Sequence, residues 1–164
     1  MSKAIFFDID GTILPFNGEF SSATKNCIKR LTELGIKVVL VTGRMHSSAT
    51  PIAALLGLNT PIISYQGGLI KDISGKTLFQ TELPSDIAKE IIKWGRENNV
   101  HLNLYIDDKL YVEEDNEIIR SYIKGKFVDY TVCSFETLEI KNVNKLLAID
   151  IHNPDRVTGW VNIL

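Results

Sequence analysis

Residues 4–12 read Ala4-Ile5-Phe6-Phe7-Asp8-Ile9-Asp10-Gly11-Thr12, an apolar run that empties into two carboxylates and a turn. Branched and aromatic residues favour a pleated strand, and an unbroken run of them predicts a strand buried on both faces of a parallel sheet. Alternation along the exit points Asp8 and Asp10 to one side and Ile9 to the other, while Gly11 lets the backbone turn. Two carboxylates in one small space raise each other's pKa unless a cation stands beside them. The pair therefore reads as a metal site, or as nucleophile plus general acid. Hard oxygen donors point to magnesium. Asp and Gly are also favoured turn formers, so the stretch taken alone is open to a second reading, a turn that caps a strand.

A second site weighs against the turn reading. Ile36-Lys37-Val38-Val39-Leu40-Val41 is another buried-strand run, and it empties into Thr42-Gly43-Arg44 ahead of a helical stretch. In an open parallel sheet ligands bind beyond the carboxyl ends of the strands, so the two polar clusters are expected to line one crevice. Thr42 offers a hydroxyl, Gly43 a closely approachable backbone N–H and Arg44 a positive fork, which are the parts of a phosphate site.

Asp8-Ile9-Asp10-Gly11-Thr12 and Thr42-Gly43-Arg44 together, with their spacing, resemble the first two motifs of the haloacid dehalogenase-like (HAD) superfamily. Ile62-Ile63-Ser64-Tyr65-Gln66-Gly67-Gly68-Leu69-Ile70 is similar to the segment after the third strand in its Cof-type phosphatases, with Gln66-Gly67-Gly68 where Asn-Gly-Ala is usual. The resemblance covers most of residues 3–150. It implies an α/β fold, a Rossmann-like parallel-sheet core with an α+β cap domain. It also implies a phosphohydrolase in which Asp8 attacks phosphorus to form an aspartyl phosphate, and Asp10 protonates the leaving oxygen and then activates water. Thr42, Gly43 and Arg44 would bind the phosphate. Mg2+ would be held by the Asp8 carboxylate and, through its backbone carbonyl, by Asp10. The implied substrate is a small phosphorylated metabolite, at family level a sugar phosphate.

The chain has 164 residues, 45% of them apolar and 23% charged, with a formal net charge of -2, an ordinary globular composition. No basic stripe supports nucleic-acid binding, and no segment reaches the length of a membrane span. The residues after Lys3 lack the long apolar region of a signal peptide, so a cytoplasmic location is expected. Cys27 and Cys133 match no metal or disulfide spacing. Cys27 is expected on the apolar face of a helix with Ile28, Leu31 and Leu34, and His46 is expected to touch nothing catalytic.

Along the chain, Ile13 to Phe20, with Pro15, Asn17 and Gly18, reads as a loop flanking the crevice, a flap able to exclude water. Ser21 or Ser22 should cap a helix that Gly35 ends, and a further helix runs from about Ser47 to Leu56 before Gly57. A third strand follows Pro61, then a hairpin through Asp72-Ile73-Ser74-Gly75. Core residues 1–83 give way to a second domain, 84–164. It opens with a helix capped by Ser85 whose Ile87, Ala88, Ile91, Ile92 and Trp94 make one apolar side. His101 to Ile106 and Leu110 to Glu113 read as antiparallel strands, Asn116 to Ile123 as a short helix, and Lys145 to Ile151 as another strand.

The family resemblance also implies a later lysine and a Gly-Asp-x-x-Asn-Asp-type acidic motif, and neither occurs here. The chain is therefore expected to stop inside its cap, as a fragment or a truncation. Its first strand would then lie at an open core edge suited to self-association. Two functions follow: a Mg-dependent HAD-like phosphatase, or a catalytically impaired remnant that binds phosphate or a partner.

Overall fold

The computed structural model describes residues 3–15 and 18–150, and Ile151, the expected end of the last strand read from the sequence, lies outside them. The chain divides into two compact units, the first ending at Thr81 and the second beginning at Glu82.

The first unit is built from strand and helix in alternation. Strand β1 (Ala4–Phe7) pairs in parallel with β2 (Lys37–Leu40), in the register Ala4 with Lys37 through Phe7 with Leu40. Helix α1 (Ser22–Glu33) connects them. Its N-cap is Ser21, whose side chain accepts from the Thr24 N–H at 3.0 Å. Its far end closes with Gly35 at φ 73°, the Gly35 N–H bonding Thr32 O and the Ile36 N–H bonding Leu31 O. That paired closure requires a residue tolerant of positive φ. Helix α2 (His46–Leu55) leads to β3 (Ile62–Ser64), which joins β2 through a parallel bridge between Val41 and Ile63. Strands β4 (Leu69–Lys71) and β5 (Thr77–Gln80) then add antiparallel, with the expected hairpin through Asp72-Ile73-Ser74-Gly75 between them. The Asp72 carboxylate accepts from the Ser74 hydroxyl and from the Ser74 and Lys76 N–H groups, and these bonds hold it below the ordinary aspartate range.

Several expectations about burial fail here. Strand β1 is not covered on both faces: Ala4 and Phe6 are exposed, Phe6 at 59%, and Ile5 and Phe7 are half-buried. Among the described residues β1 is hydrogen-bonded on one side only, whereas β2, flanked by β1 and β3, buries Val38, Val39 and Leu40. Cys27 is exposed, as is Leu34, because α1 lays only Ile28 and Leu31 against the core. The stretch after Asp10 is not a free flap at its start. Ile13 and Leu14 are buried in the core cluster, and the Leu14 N–H bonds Ile9 O at 2.8 Å. Residues 16 and 17 of that loop are outside the described set.

Among the described residues the second unit holds a four-stranded sheet in the order β8-β7-β6-β9. Helix α3 (Ser85–Glu97) precedes β6 (His101–Ile106) and β7 (Lys109–Val112), which form an antiparallel hairpin through Asp107 and Asp108 at φ 49° and 59°. Two successive positive φ values make the tight turn whose twist suits paired strands. Helix α4 (Glu117–Ile123), capped by the Asn116 side chain, leads to β8 (Tyr130–Val132), parallel to β7. Strand β9 (Val143–Ile149) lies antiparallel on the other side of β6. Leu102, Leu104 and Ile106 pack with Ala88 and Ile92 of α3 in one buried cluster. Ser85 does not cap α3: Pro84 holds the N-cap position, and Ser85 is the first helical residue. Pro suits a helix start because it has no N–H to leave unsatisfied. Strand β8 was not anticipated, since three residues carry too little periodicity to read.

Candidate active site

The exit from β1 behaves as its alternation requires. Asp8 and Asp10 are exposed while Ile9 between them is fully buried, so both carboxylates leave the core on one side. Gly11, at φ 76°, turns the chain back and its N–H bonds Leu14 O at 2.9 Å. Strand β2 delivers the second cluster at the same end of the sheet, because β1 and β2 are parallel and the Val41 N–H bonds Phe7 O. Thr42 is buried, and its hydroxyl oxygen accepts the Arg44 N–H at 3.1 Å.

Arg44 binds Asp10 directly. Nε donates to Oδ2 at 2.8 Å and Nη2 to Oδ1 at 2.7 Å, a bidentate fork across 34 residues of sequence. The guanidinium side is 9% exposed and the carboxylate side 48%, so the pair is rooted in the protein and open at the acid. Nη1 is buried without a hydrogen-bond partner among the described residues. The sequence reading places Asp10 and Arg44 in one crevice but gives them separate tasks. It does not anticipate that they bond each other.

The segment after β3 closes the far side of the turn. Tyr65 and Gln66 both have positive φ, 51° and 53°, and their N–H groups bond Arg44 O at 3.0 Å and Thr42 O at 3.1 Å. Gln66 lies against Gly43. A Cβ on Gly43 would come within 2.8 Å of the Gln66 amide nitrogen and 3.2 Å of its Cδ. The glycine is needed for room. His46, at the first position of α2, is buried.

The donors available to a cation are few. Among the described residues no group of three His, Cys, Asp or Glu side chains forms a metal-binding cluster. The Asp8 carboxylate and the backbone carbonyl of Asp10 are oxygen donors of the type magnesium takes, and magnesium commonly uses one or two protein oxygens with water and phosphate completing its shell. The residues present fit such an ion in kind.

The acids of the second unit do other work. Arg96 forks Glu113 at 2.6 and 3.0 Å and bonds Glu136 at 3.0 Å. Arg96 and the Phe135 N–H hold the Glu113 carboxyl below its ordinary range. Arg96, Glu113 and Phe135 border a hollow of about 300 Å³, in which Arg96 and Glu113 pair with each other. No helix among the described residues is long and apolar enough to cross a membrane.

Known proteins place this geometry in a family. TM0651 of Thermotoga maritima, of known crystal structure, is 35% identical and superposes with a TM-score of 0.81 over 99% of this chain and 61% of its own. The pyridoxal phosphate phosphatase YbhA of Escherichia coli is 29% identical over 122 residues, 73% of this chain and 45% of that protein. The HMP-PP phosphatase of Yersinia pestis is 24% identical over 153 residues, 93% of this chain and 56% of that protein. The chain thus spans about half the length of the curated relatives it matches. The sequence model of the haloacid dehalogenase-like hydrolases matches residues 5–158, and with the two strand-end clusters brought to one end of a parallel pair, the chain belongs to that family.

Proposed function

We propose that the chain carries the phosphoryl-handling half of a Mg2+-dependent phosphohydrolase acting in the cytoplasm on a small phosphorylated metabolite. The observation that carries this reading is the convergence of Asp8, Asp10, Thr42, Gly43 and Arg44 at the carboxyl ends of β1 and β2. Phosphatases of pyridoxal phosphate and HMP-PP among its relatives support a small phosphorylated substrate, and a sugar phosphate is the family-level choice.

Asp8, exposed and first after β1, is the nucleophile. Its carboxylate oxygen attacks phosphorus, the bond to the leaving oxygen breaks, and an aspartyl phosphate forms. The Thr42 hydroxyl and the Gly43 N–H donate to the phosphoryl oxygens, and the buried Arg44 Nη1 adds a donor whose charge offsets theirs. Asp10 gives a proton to the departing oxygen and later takes one from water. Both Asp10 oxygens accept from Arg44, so the fork must loosen before Asp10 can hold a proton to give. Magnesium, held by the Asp8 carboxylate and the Asp10 carbonyl, would offset negative charge on the phosphoryl group.

That fork also favours a second reading, in which this chain binds phosphate and turns it over slowly. The experiment for both is p-nitrophenyl phosphate turnover in excess magnesium by the chain and by Asp8→Asn, with phosphate binding measured by calorimetry. The enzyme reading expects turnover that falls at least ~1,000-fold in Asp8→Asn, the scale on which loss of a nucleophile acts. Binding with no Asp8-dependent turnover would support the second reading and sink the first.

A further inference from the structure

Gln66 is the residue beside the Thr42–Arg44 turn that the reaction above does not use. Two consecutive non-glycine residues, Tyr65 and Gln66, hold positive φ, a conformation that L side chains resist and that persists where its surroundings enforce it. The enforcement comes from the turn itself: the Tyr65 N–H bonds Arg44 O and the Gln66 N–H bonds Thr42 O. The strain has a spatial result. It brings the Gln66 amide onto Gly43, with the space of a Cβ there 2.8 Å from the amide nitrogen. Gly43 has no positive φ to accommodate, so the room it leaves is for this amide. Among the described residues the amide has no hydrogen-bond partner, and Gln66 is exposed. An uncommitted neutral donor therefore stands beside the Gly43 backbone.

We propose that Gln66 is a substrate-binding residue whose side-chain amide donates to a phosphoryl oxygen held at Thr42, Gly43 and Arg44. The proposal rests on the phosphohydrolase reading and adds to it a residue from the segment after β3. Arg44 spends two of its three nitrogens on Asp10, which makes a further donor at this turn useful. A carboxamide supplies it without a second positive charge, which would compete for the Asp10 carboxylate. Glycine at position 66 would relieve the backbone and remove the donor, so stability and affinity are expected to move in opposite directions.

The test is titration with inorganic phosphate by calorimetry in magnesium buffer, for the parent chain, Gln66→Ala, Gln66→Glu and Gln66→Gly, with thermal unfolding of each. Loss of one neutral hydrogen bond predicts an affinity decrease of roughly 3- to 10-fold in Gln66→Ala. Gln66→Glu, which faces the anion with a negative charge, is expected to lose more than Gln66→Ala. Gln66→Gly should bind as weakly as Gln66→Ala while unfolding about 2–4 °C higher. A merely structural residue would not separate those two readouts. Parent-like affinity in both Gln66→Ala and Gln66→Glu overturns the inference and leaves the phosphohydrolase reading standing. A parent chain that binds no phosphate overturns both.

Discussion

Strands β1 and β6 are both read as strands from their sequences, yet they end in opposite environments. In β6 every residue but His101 is buried, and Leu104 is fully so. In β1 none is, and Phe6 is 59% exposed. The difference is in the neighbours: β6 lies between β7 and β9 with α3 across one face, while among the described residues β1 pairs with β2 alone. Apolar character shows that a strand can be buried, but its partners determine whether it is. The same contrast divides function from support. The exposed strand delivers Asp8 and Asp10 to solvent, and the buried one leads into a two-residue turn in which the Asp107 carboxylate accepts from the Asn142 side-chain amide.

The largest test of that contrast is Leu104→Ala. Removing a fully buried leucine from the middle of β6 should cost about 2–5 kcal/mol in the second unit, measured by urea unfolding. A cost under about 1 kcal/mol would mean that β6 is no better packed than β1.

A smaller effect is expected from acid. His101 accepts from the Asn116 amide at Nδ1 (3.2 Å) and donates from Nε2 to the Asn103 side-chain oxygen (2.9 Å), so it is held neutral. Burial, opposed by Asn103 and the Glu114 charge, lowers its pKa from the ordinary 6.5. The unfolded chain then binds more protons than the folded one as pH drops through that value, and stability falls with it. Glu113, lowered from 4.5 by Arg96, extends the loss at lower pH by the same sign. The second unit should therefore weaken in two stages on acidification, one beginning near 6.5 and one below 4.5. Chemical denaturation across pH checks this, and His101→Gln should remove the upper stage while sparing the lower.

The smallest effect is expected from Phe6→Ser. An exposed side chain on a one-sided strand should change stability by no more than about 0.5 kcal/mol. A cost of about 2 kcal/mol or more, growing with protein concentration, would show that a second copy of the chain covers β1 in solution. That result would break the comparison.

Much of this was legible in the chain. Val38-Val39-Leu40 and Ile62-Ile63-Ser64 announce strands because branched residues leave few alternatives, and Ser21 and Gly35 announce helix ends because each supplies a bond or a φ that others cannot. The burial of α1 was not legible, because Cys27, Ile28, Leu31 and Leu34 share an apolar stripe wider than the surface it meets. The fork between Arg44 and Asp10 was not legible either. It depends on how two loops 34 residues apart meet, and no local pattern encodes that. The place of the Gln66 side chain against Gly43 was not legible, since it follows from the left-handed backbone at Tyr65 and Gln66.

The order β8-β7-β6-β9 also determines when the second unit can become a sheet. The β6–β7 hairpin closes through two residues, on the microsecond scale of such turns. Strand β9 reaches the other side of β6 only after α4 and β8 have been passed, so its pairing closes a long loop and pays the entropy of that search. Val143, fully buried, comes from the last strand among the described residues. Until it docks, the β6 face that packs on α3 lacks its neighbour on one edge, and Val143 must have left the ribosome before the core of this unit can set.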